Sequence, residues 1–179
     1  KARECDLAAR EILAPNRSSS VFPVPCRQAV YASSYEEASA INQAHLGVKL
    51  SKQSWSICRR ISQVDSFLTN PQHVPPYLRE SHPEVCFWAM NGHKPLEHSK
   101  KTKEGLRERI AILQRMMPQS ASLYNNAVDA YLRKDLKRDD ILDALVLAVT
   151  AVLSHHRLEI VSQVEYDEKG LPMEIVYYG

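Results

Sequence analysis

Apolar residues recur at helical spacing along much of the chain, separated by polar positions, as in amphipathic helices. The pattern predicts helices over 3–13, 35–46, 51–67, 104–117, 123–132 and 139–153. Pro15 follows the first helix and Gly47 the second, at the positions where such residues end helices. Ser51 is expected to begin the third helix.

Strand signals are fewer and shorter than helix signals. Residues 77–89 are the best strand candidate in the first half, because Asn91-Gly92 follows them as a turn signal. Residues 159–166 and 173–178 are predicted to pair as a terminal hairpin around Lys169-Gly170. The sequence therefore predicts a helix-rich α/β protein.

Length, charge and cysteine content indicate what kind of protein this is. The chain has 179 residues, which suits one domain with its own core. Its net charge of +2 does not by itself indicate a nucleic-acid partner, so any basic surface must be local. No apolar run reaches the length of a membrane span, which predicts a protein without a membrane segment. Widely spaced cysteines predict free thiols in a reducing cytoplasm: Cys5, Cys26, Cys58 and Cys86.

Three carboxylates begin the longest apolar stretch: Asp139, Asp140 and Asp143. One interpretation is a capping box, with Asp140 as the N-cap and Asp143 reaching back to its backbone N–H. The other is that Asp140 and Asp143 hold Mg²⁺ or Mn²⁺, since these cations prefer carboxylate oxygens. The spacing alone slightly favours the capping box.

A second group of polar residues lies on the predicted strand at 77–89. Glu80, His82 and Glu84 alternate there and would point to one face. They are candidate ligands, but they equally suit an edge strand with a solvated face, as Pro83 favours. Glu84 is closest to the apolar end of the segment and is the better ligand candidate.

Cations crowd the start of the predicted helix that follows. Lys100 and Lys101 precede its positive end, where a bound phosphate would relieve the unfavourable charge. A solvated surface with Lys–Glu pairs is the favoured interpretation for any single lysine. Arg109 shares the apolar phase of the helix, so we expect it to be buried against a carboxylate or phosphate. Arg17, beside three serines, could cradle a phosphate, although an ordinary turn is favoured.

Several motifs follow one another along the chain. They are Arg3-x-Cys5-Asp6-x-x-Ala9-Arg10, Arg17-x-Ser19-Ser20-Val21-Phe22-Pro23, Leu50-Ser51-x-Gln53, Glu80-x-His82-Pro83-Glu84-x-x-Phe87, Lys100-x-Thr102-x-x-Gly105-x-x-x-Arg109 and Asp139-Asp140-x-x-Asp143-Ala144-Leu145. With them the chain resembles an uncharacterised bacterial and archaeal family, domain of unknown function 429, described as predicted nucleases of RNase H-like fold. The last motif also looks like the C-terminal helix of Holliday-junction resolvases.

The resemblance implies a single domain of RNase H-like (resolvase-like) fold over 1–179 and metal-dependent hydrolysis of nucleic acid. By that likeness Asp140 and Asp143 would be catalytic ligands of Mg²⁺ or Mn²⁺, with Glu84 as their acidic partner. The residues expected to hold phosphates are Lys100, Lys101, Arg109 and Arg17.

One departure from the family bears on this expectation. RNase H-like folds carry an essential aspartate on their first central strand, and this chain begins after the corresponding position. The resemblance thus implies an N-terminally incomplete domain, whose sheet edge would be covered by a missing N-terminal segment or by a second copy in a homodimer. Three functions stay open: a metal-dependent nuclease, a non-catalytic module that binds nucleic acid or a protein, and a purely structural role for the aspartates.

Overall fold

The computed structural model describes residues 2–72, 78–155 and 157–179. The helices are α1 (Glu4–Ile12), α2 (Arg27–Val30), α3 (Tyr35–Leu46), α4 (Lys52–Leu68), α5 (Pro83–Met90), α6 (Lys103–Met116), α7 (Ser120–Ala130) and α8 (Arg138–Ser154). The strands are β1 (Glu159–Ile160), β2 (Glu165–Tyr166), β3 (Pro172–Met173) and β4 (Val176–Tyr177). The protein is therefore helix-rich α/β, with small antiparallel sheets.

The main core forms where α8 packs against α5, α6 and α7. Phe87 of α5 and Val146 and Val149 of α8 are fully buried in it. A smaller cluster lies around Ala38 and Cys58, where α2, α3 and α4 meet. Helix α5 is apolar on nearly every side, as expected of a helix enclosed by the core.

The strands form two short antiparallel pairs. In one pair Glu159 lies opposite Tyr177, and in the other Glu165 lies opposite Met173. Gly170 takes a positive φ of 75° in the turn that joins β2 to β3. The predicted terminal hairpin is thereby confirmed.

The predicted helices are confirmed, with local signals at their ends. The side chain of Ser51 accepts a hydrogen bond from the backbone of Ser54 and begins α4. Gly47 ends α3 in the left-handed conformation, with a φ of 75°. These polar and glycine signals act within one turn, so they can be read without knowledge of the tertiary structure.

The prediction of a strand over 77–89 is wrong. Residues 83–90 are helix α5, and Tyr77 lies outside the described residues. Pro83 occupies the first turn, where its missing N–H costs nothing, and Nδ1 of His82 accepts from the backbone N of Glu84 at 3.2 Å. Glu80, His82 and Glu84 consequently do not alternate along one face of a strand.

The predicted capping box at Asp140 is also wrong. The N-cap of α8 is Lys137, whose side chain makes no capping hydrogen bond. Asp139 and Asp140 instead lie in the first turn. Carboxylates are favourable there because the helix dipole is positive at that end.

Two arginines tie the last residues of the chain to its first half. Arg27 donates from Nη2 to Asp65 and to Asp167, both at 2.7 Å. Arg79 donates from Nη2 to Glu174 at 2.7 Å. The C-terminal strands are therefore held by side chains far away in sequence as well as by their own ladder.

Two composition-based expectations can be compared with the structure. All four cysteines are free thiols. Within the described part of the chain, no helix combines the length and apolarity needed to cross a membrane.

Candidate active site

A buried ion pair joins α5 to α6. Arg109 donates from Nη2 to Oε1 of Glu84 at 2.6 Å, and the two residues are 0% and 3% exposed. Nη1 of Arg109 also donates to the carbonyl oxygens of Gly105 and His98, at 3.0 and 3.2 Å. Arg109 is thus buried against a carboxylate, as its helical phase indicates.

A second ion pair joins α8 to the segment before α6. Lys100 donates from Nζ to Oδ2 of Asp143 at 2.8 Å, and the same nitrogen lies 4.0 Å from Oδ2 of Asp139. The side chains of Lys100 and Asp143 keep 33% and 23% of their surface exposed. This pair therefore forms the solvent side of the site, and the pair of Arg109 with Glu84 forms its interior.

Each carboxylate keeps one buried oxygen without a hydrogen bond from the described residues. These atoms are Oε2 of Glu84 and Oδ1 of Asp143. A buried acceptor without a partner is costly, because it has lost its water and gained nothing in exchange. The site consequently offers two unused oxygens of negative side chains to a cation or a proton.

The charges of the site act on one another. Burial raises the pKa of Asp143, Lys100 opposes that rise, and the charges of Glu84 and Asp139 add to it. Burial alone would lower the pKa of Lys100, but its hydrogen bond to Asp143 and the nearby carboxylates outweigh burial, so this pKa is raised. Three carboxylates, of Glu84, Asp139 and Asp143, face two cations, Lys100 and Arg109, and this excess of one negative charge favours a further cation.

His82 lies beside this site and is fully engaged. Its Nδ1 accepts from the backbone N of Glu84, so Nε2 carries the proton and donates to the carbonyl oxygen of Ser20 at 3.2 Å. Burial lowers the pKa of His82, which keeps the ring neutral. The imidazole therefore positions the start of α5 and has no free nitrogen to act as a base.

Lys100 is carried by a loop, residues 96–102, that we call the lysine loop. The carboxylate of Glu108 accepts from the backbone N of Glu97 and of His98, at 2.9 and 3.0 Å. Arg17 donates to the carbonyl oxygens of Leu96 and Glu97, at 3.2 and 2.9 Å. Two charged side chains thus hold the backbone of the loop from opposite directions.

Gly105 lets the lysine loop lie directly on α6. A Cβ atom at this position would stand 2.0 Å from the carbonyl oxygen of Ser99, so no other residue fits without a backbone shift. The hydroxyl of Thr102 accepts from the backbone N of Gly105 at 3.0 Å and caps the helix. The loop therefore has a fixed path as it presents Lys100.

The structure brings together four of the residues singled out in the sequence, as two ion pairs whose charges act on each other: Glu84, Asp143, Lys100 and Arg109. Asp140 and Lys101 are exposed instead. The side chain of Arg17 packs against the lysine loop and donates its hydrogen bonds to backbone oxygens there. Asp139 lies on the side of α8 that faces Lys100.

Sequence reasoning missed the residues that fix the loop. Glu108 belonged to no motif, and Gly105 entered only as one position of a motif, with no role assigned to it. Thr102, three positions before Gly105, is typical of a helix start. Asp139 and Asp143 lie one turn apart, which indicates a shared face of α8. That spacing could have indicated that Asp139 lies beside Asp143 in the candidate site.

The donor set fits Mg²⁺ better than a metal that needs an all-protein cage. Across residues 2–72, 78–155 and 157–179, no group of three or more His, Cys, Asp or Glu side chains is arranged to hold a metal ion. Mg²⁺ commonly takes one or two carboxylates and completes its shell with waters and substrate phosphates. The free oxygens of Glu84 and Asp143 match that smaller requirement.

Comparison with known proteins gives one informative result. A family model described as "Protein of unknown function (DUF429)" matches residues 1–163. Neither the curated proteins nor the solved structures yield a match. The family description assigns no activity, so inference about function rests on the site.

Proposed function

The chain belongs to this family of unknown function, DUF429, and we propose that it is a Mg²⁺- or Mn²⁺-dependent nuclease of RNase H-like fold. The observation that carries the proposal is the pair of buried, unpartnered oxygens on Glu84 and Asp143, with Lys100 at their solvent side. Nucleic acid would offer phosphates to complete the shell of a bound Mg²⁺ or Mn²⁺, which would bring its own waters.

Glu84 and Asp143 are the residues that would hold the metal. A bound Mg²⁺ or Mn²⁺ would supply an activated water and stabilise the leaving oxygen. The proposal narrows the predicted ligand set, because Asp140 is exposed while Glu84 and Asp143 lie close enough for their charges to interact.

The cations of the site have different tasks. Of the two carboxylate oxygens of Glu84, Arg109 binds Oε1 alone, so it fixes this side chain and leaves Oε2 free. Lys100 neutralises Asp143 and sits on a flexible stem, so its ammonium can turn to a phosphate when that carboxylate is engaged elsewhere. Lys101 is exposed beside it and adds a second phosphate contact.

The test is cleavage of single- and double-stranded DNA and RNA with Mg²⁺ or Mn²⁺. We expect Asp143→Asn and Glu84→Gln to lower the rate by about 100-fold or more, since each removes a metal ligand. Asp129→Asn, an exposed aspartate of α7, is the matched control. Circular dichroism checks the fold of each variant, and equal rates in wild type and Asp143→Asn would refute the proposal.

A metal titration gives a readout that does not depend on activity. Mn²⁺ is expected to raise the melting temperature of the wild type, because a ligand that binds only the folded state stabilises it. Asp143→Asn should lose this shift and Asp129→Asn should keep it. The absence of a shift in the wild type would contradict the metal site.

A second candidate is a non-catalytic module that binds nucleic acid or a protein. One observation favours it: each carboxylate of the site already has a cationic partner. Salt-dependent binding without cleavage, unchanged in Asp143→Asn, would select this alternative.

A further inference from the structure

A strongly basic and exposed segment connects α7 to α8. We call residues 131–138 the basic link; its exposed cations are Arg133, Lys134, Lys137 and Arg138. Asp135 is the acid between them, and it is exposed as well. Among the described residues none of these four cations forms an ion pair, so their charge is available to a partner.

The basic link lies beside the candidate active site. It runs directly into Asp139, whose carboxylate is 4.0 Å from Nζ of Lys100. Lys100 of the lysine loop reaches the same first turns of α8, where it contacts Asp139 and Asp143. The two basic segments therefore meet at the turn of α8 that carries the carboxylates.

An exposed aromatic ring begins the basic link. Tyr131 is 60% exposed and its ring contacts no other ring of the described residues. Leu132 next to it is 64% exposed. Such exposure of neighbouring large apolar side chains is a feature of binding surfaces, since it is unfavourable in water.

The basic link passes close to Tyr124 of α7. Tyr124 of α7 is 6% exposed, and its hydroxyl has no hydrogen-bond partner among the described residues. Burial raises the pKa of Tyr124, while the charges of Arg138 and Arg133 act against that rise. Arg133 and Arg138 thus both lie close enough to Tyr124 for their charges to act on it.

We propose that the basic link binds single-stranded nucleic acid, with a base stacked on Tyr131 and phosphates held by Arg133 and Lys134. The strand continues over the lysine loop and so passes the carboxylates of α8. A base can stack on an exposed ring when its own face is free, as in a single strand, whereas duplex bases are stacked inside. The choice of nucleic acid rests on the proposed nuclease function.

The experiment measures binding of the full chain to fluorescent oligothymidine of about 20 nucleotides in EDTA, where metal-dependent cleavage is absent. Tyr131→Ala should weaken binding by about 5- to 100-fold and leave the salt dependence unchanged, since stacking carries no charge. Tyr166→Ala is the matched control, because Tyr166 is 68% exposed but lies on β2.

Loss of the charged contacts should change the salt dependence of binding. Arg133→Gln combined with Lys134→Gln should make the slope of log K against log salt shallower by about 1.4, or about 0.7 per phosphate released. Arg59→Gln combined with Arg60→Gln removes two exposed cations of α4 and should leave the slope unchanged.

Three results would overturn the inference. They are no binding at low salt, tighter binding of a duplex than of the single strand, and equal losses in Tyr131→Ala and Tyr166→Ala. Heparin bound as tightly as the oligonucleotide, with no effect of Tyr131→Ala, would indicate a general polyanion surface instead. Binding without cleavage would leave this inference standing while the nuclease proposal failed, and cleavage without these effects would do the reverse.

Discussion

Arg109 and Glu84 face each other across the contact between α6 and α5, with 2.6 Å between Nη2 and Oε1 and almost no exposure of either residue. The guanidinium carbon of Arg109 also lies 5.4 Å from the centre of the Phe87 ring. The pair therefore places a full positive charge inside the apolar core, where it is tolerable because the opposite charge and two backbone carbonyls surround it.

Removal of either Arg109 or Glu84 should destabilise the protein, because the other charge is then buried without its partner. Arg109→Met is expected to lower the free energy of unfolding by about 3–5 kcal/mol, because Glu84 is left buried and unpaired. Arg109→Met combined with Glu84→Gln should recover part of that loss. Urea denaturation measures Arg109→Met, Glu84→Gln and the double variant against the wild type. Arg107→Met on the exposed face of α6 should stay within about 0.5 kcal/mol of the wild type. Strict additivity of the two single losses would contradict the coupling.

Gly105→Ala should destabilise the protein although alanine favours helices. The added Cβ would meet the carbonyl oxygen of Ser99 at 2.0 Å, so the lysine loop must move. We expect a net loss of about 1–3 kcal/mol. Ala111→Gly at an exposed position of the same helix isolates helix propensity and should cost about 1 kcal/mol. A gain in stability from Gly105→Ala would show that the loop is not held closely on α6.

Asp65→Asn should act in a pH-dependent way. The hydrogen bonds from Arg27 lower the pKa of Asp65, against the effect of burial, and Tyr31 adds to the lowering. A lowered pKa means that the folded state favours the carboxylate, so its stabilisation is present above about pH 4 and is lost as pH falls through the folded pKa. The variant should lose about 1–3 kcal/mol at neutral pH.

The difference between wild type and Asp65→Asn should therefore shrink in acid. Thermal or urea unfolding from neutral pH to below about pH 4 measures it. Asp129→Asn serves as a control, because its exposed carboxylate has no partner among the described residues. A difference that stays constant over this range would show that the Arg27 contact does not stabilise the charged form.

Lys100→Gln should strengthen metal binding. Lys100 occupies Oδ2 of Asp143, so it competes as a cation for a ligand of the proposed metal. We expect Mn²⁺ to bind about tenfold more tightly in the variant, measured by isothermal titration calorimetry, or about 1.4 kcal/mol. Lys103→Gln removes an exposed lysine of the same region and should leave the affinity within about twofold. An unchanged affinity in Lys100→Gln would contradict competition between Lys100 and the metal for Asp143.

Much of the helical part of the fold could be predicted because its signals are local. Ser51, Gly47 and the helical spacing of apolar residues act within one or two turns, and the structure follows them. Helix α5 escaped this reasoning because it is buried on nearly all sides. A short buried helix and a short buried strand have the same continuous apolar pattern, and only His82-Pro83 at its start distinguishes them.

The sequence indicated individual residues of the candidate site but not which of them form ion pairs with one another. The phase of Arg109 indicated burial against an anion, yet nothing local identified Glu84 as that anion, since the two lie 25 positions apart. The ion pair of Lys100 with Asp143 spans 43 positions and depends on how the lysine loop packs on α6. The proposed roles of these residues in metal and phosphate binding stay predictions.

The ties between the C-terminal strands and the first half of the chain have a consequence for synthesis. Arg27 and Asp167 are 140 positions apart, and Arg79 and Glu174 are 95 apart. A nascent chain grows from its N-terminus, so these arginines leave the ribosome long before their late partners exist. The first half can therefore form its helices during translation, but it reaches its final set of contacts only after these later strands have left the ribosome.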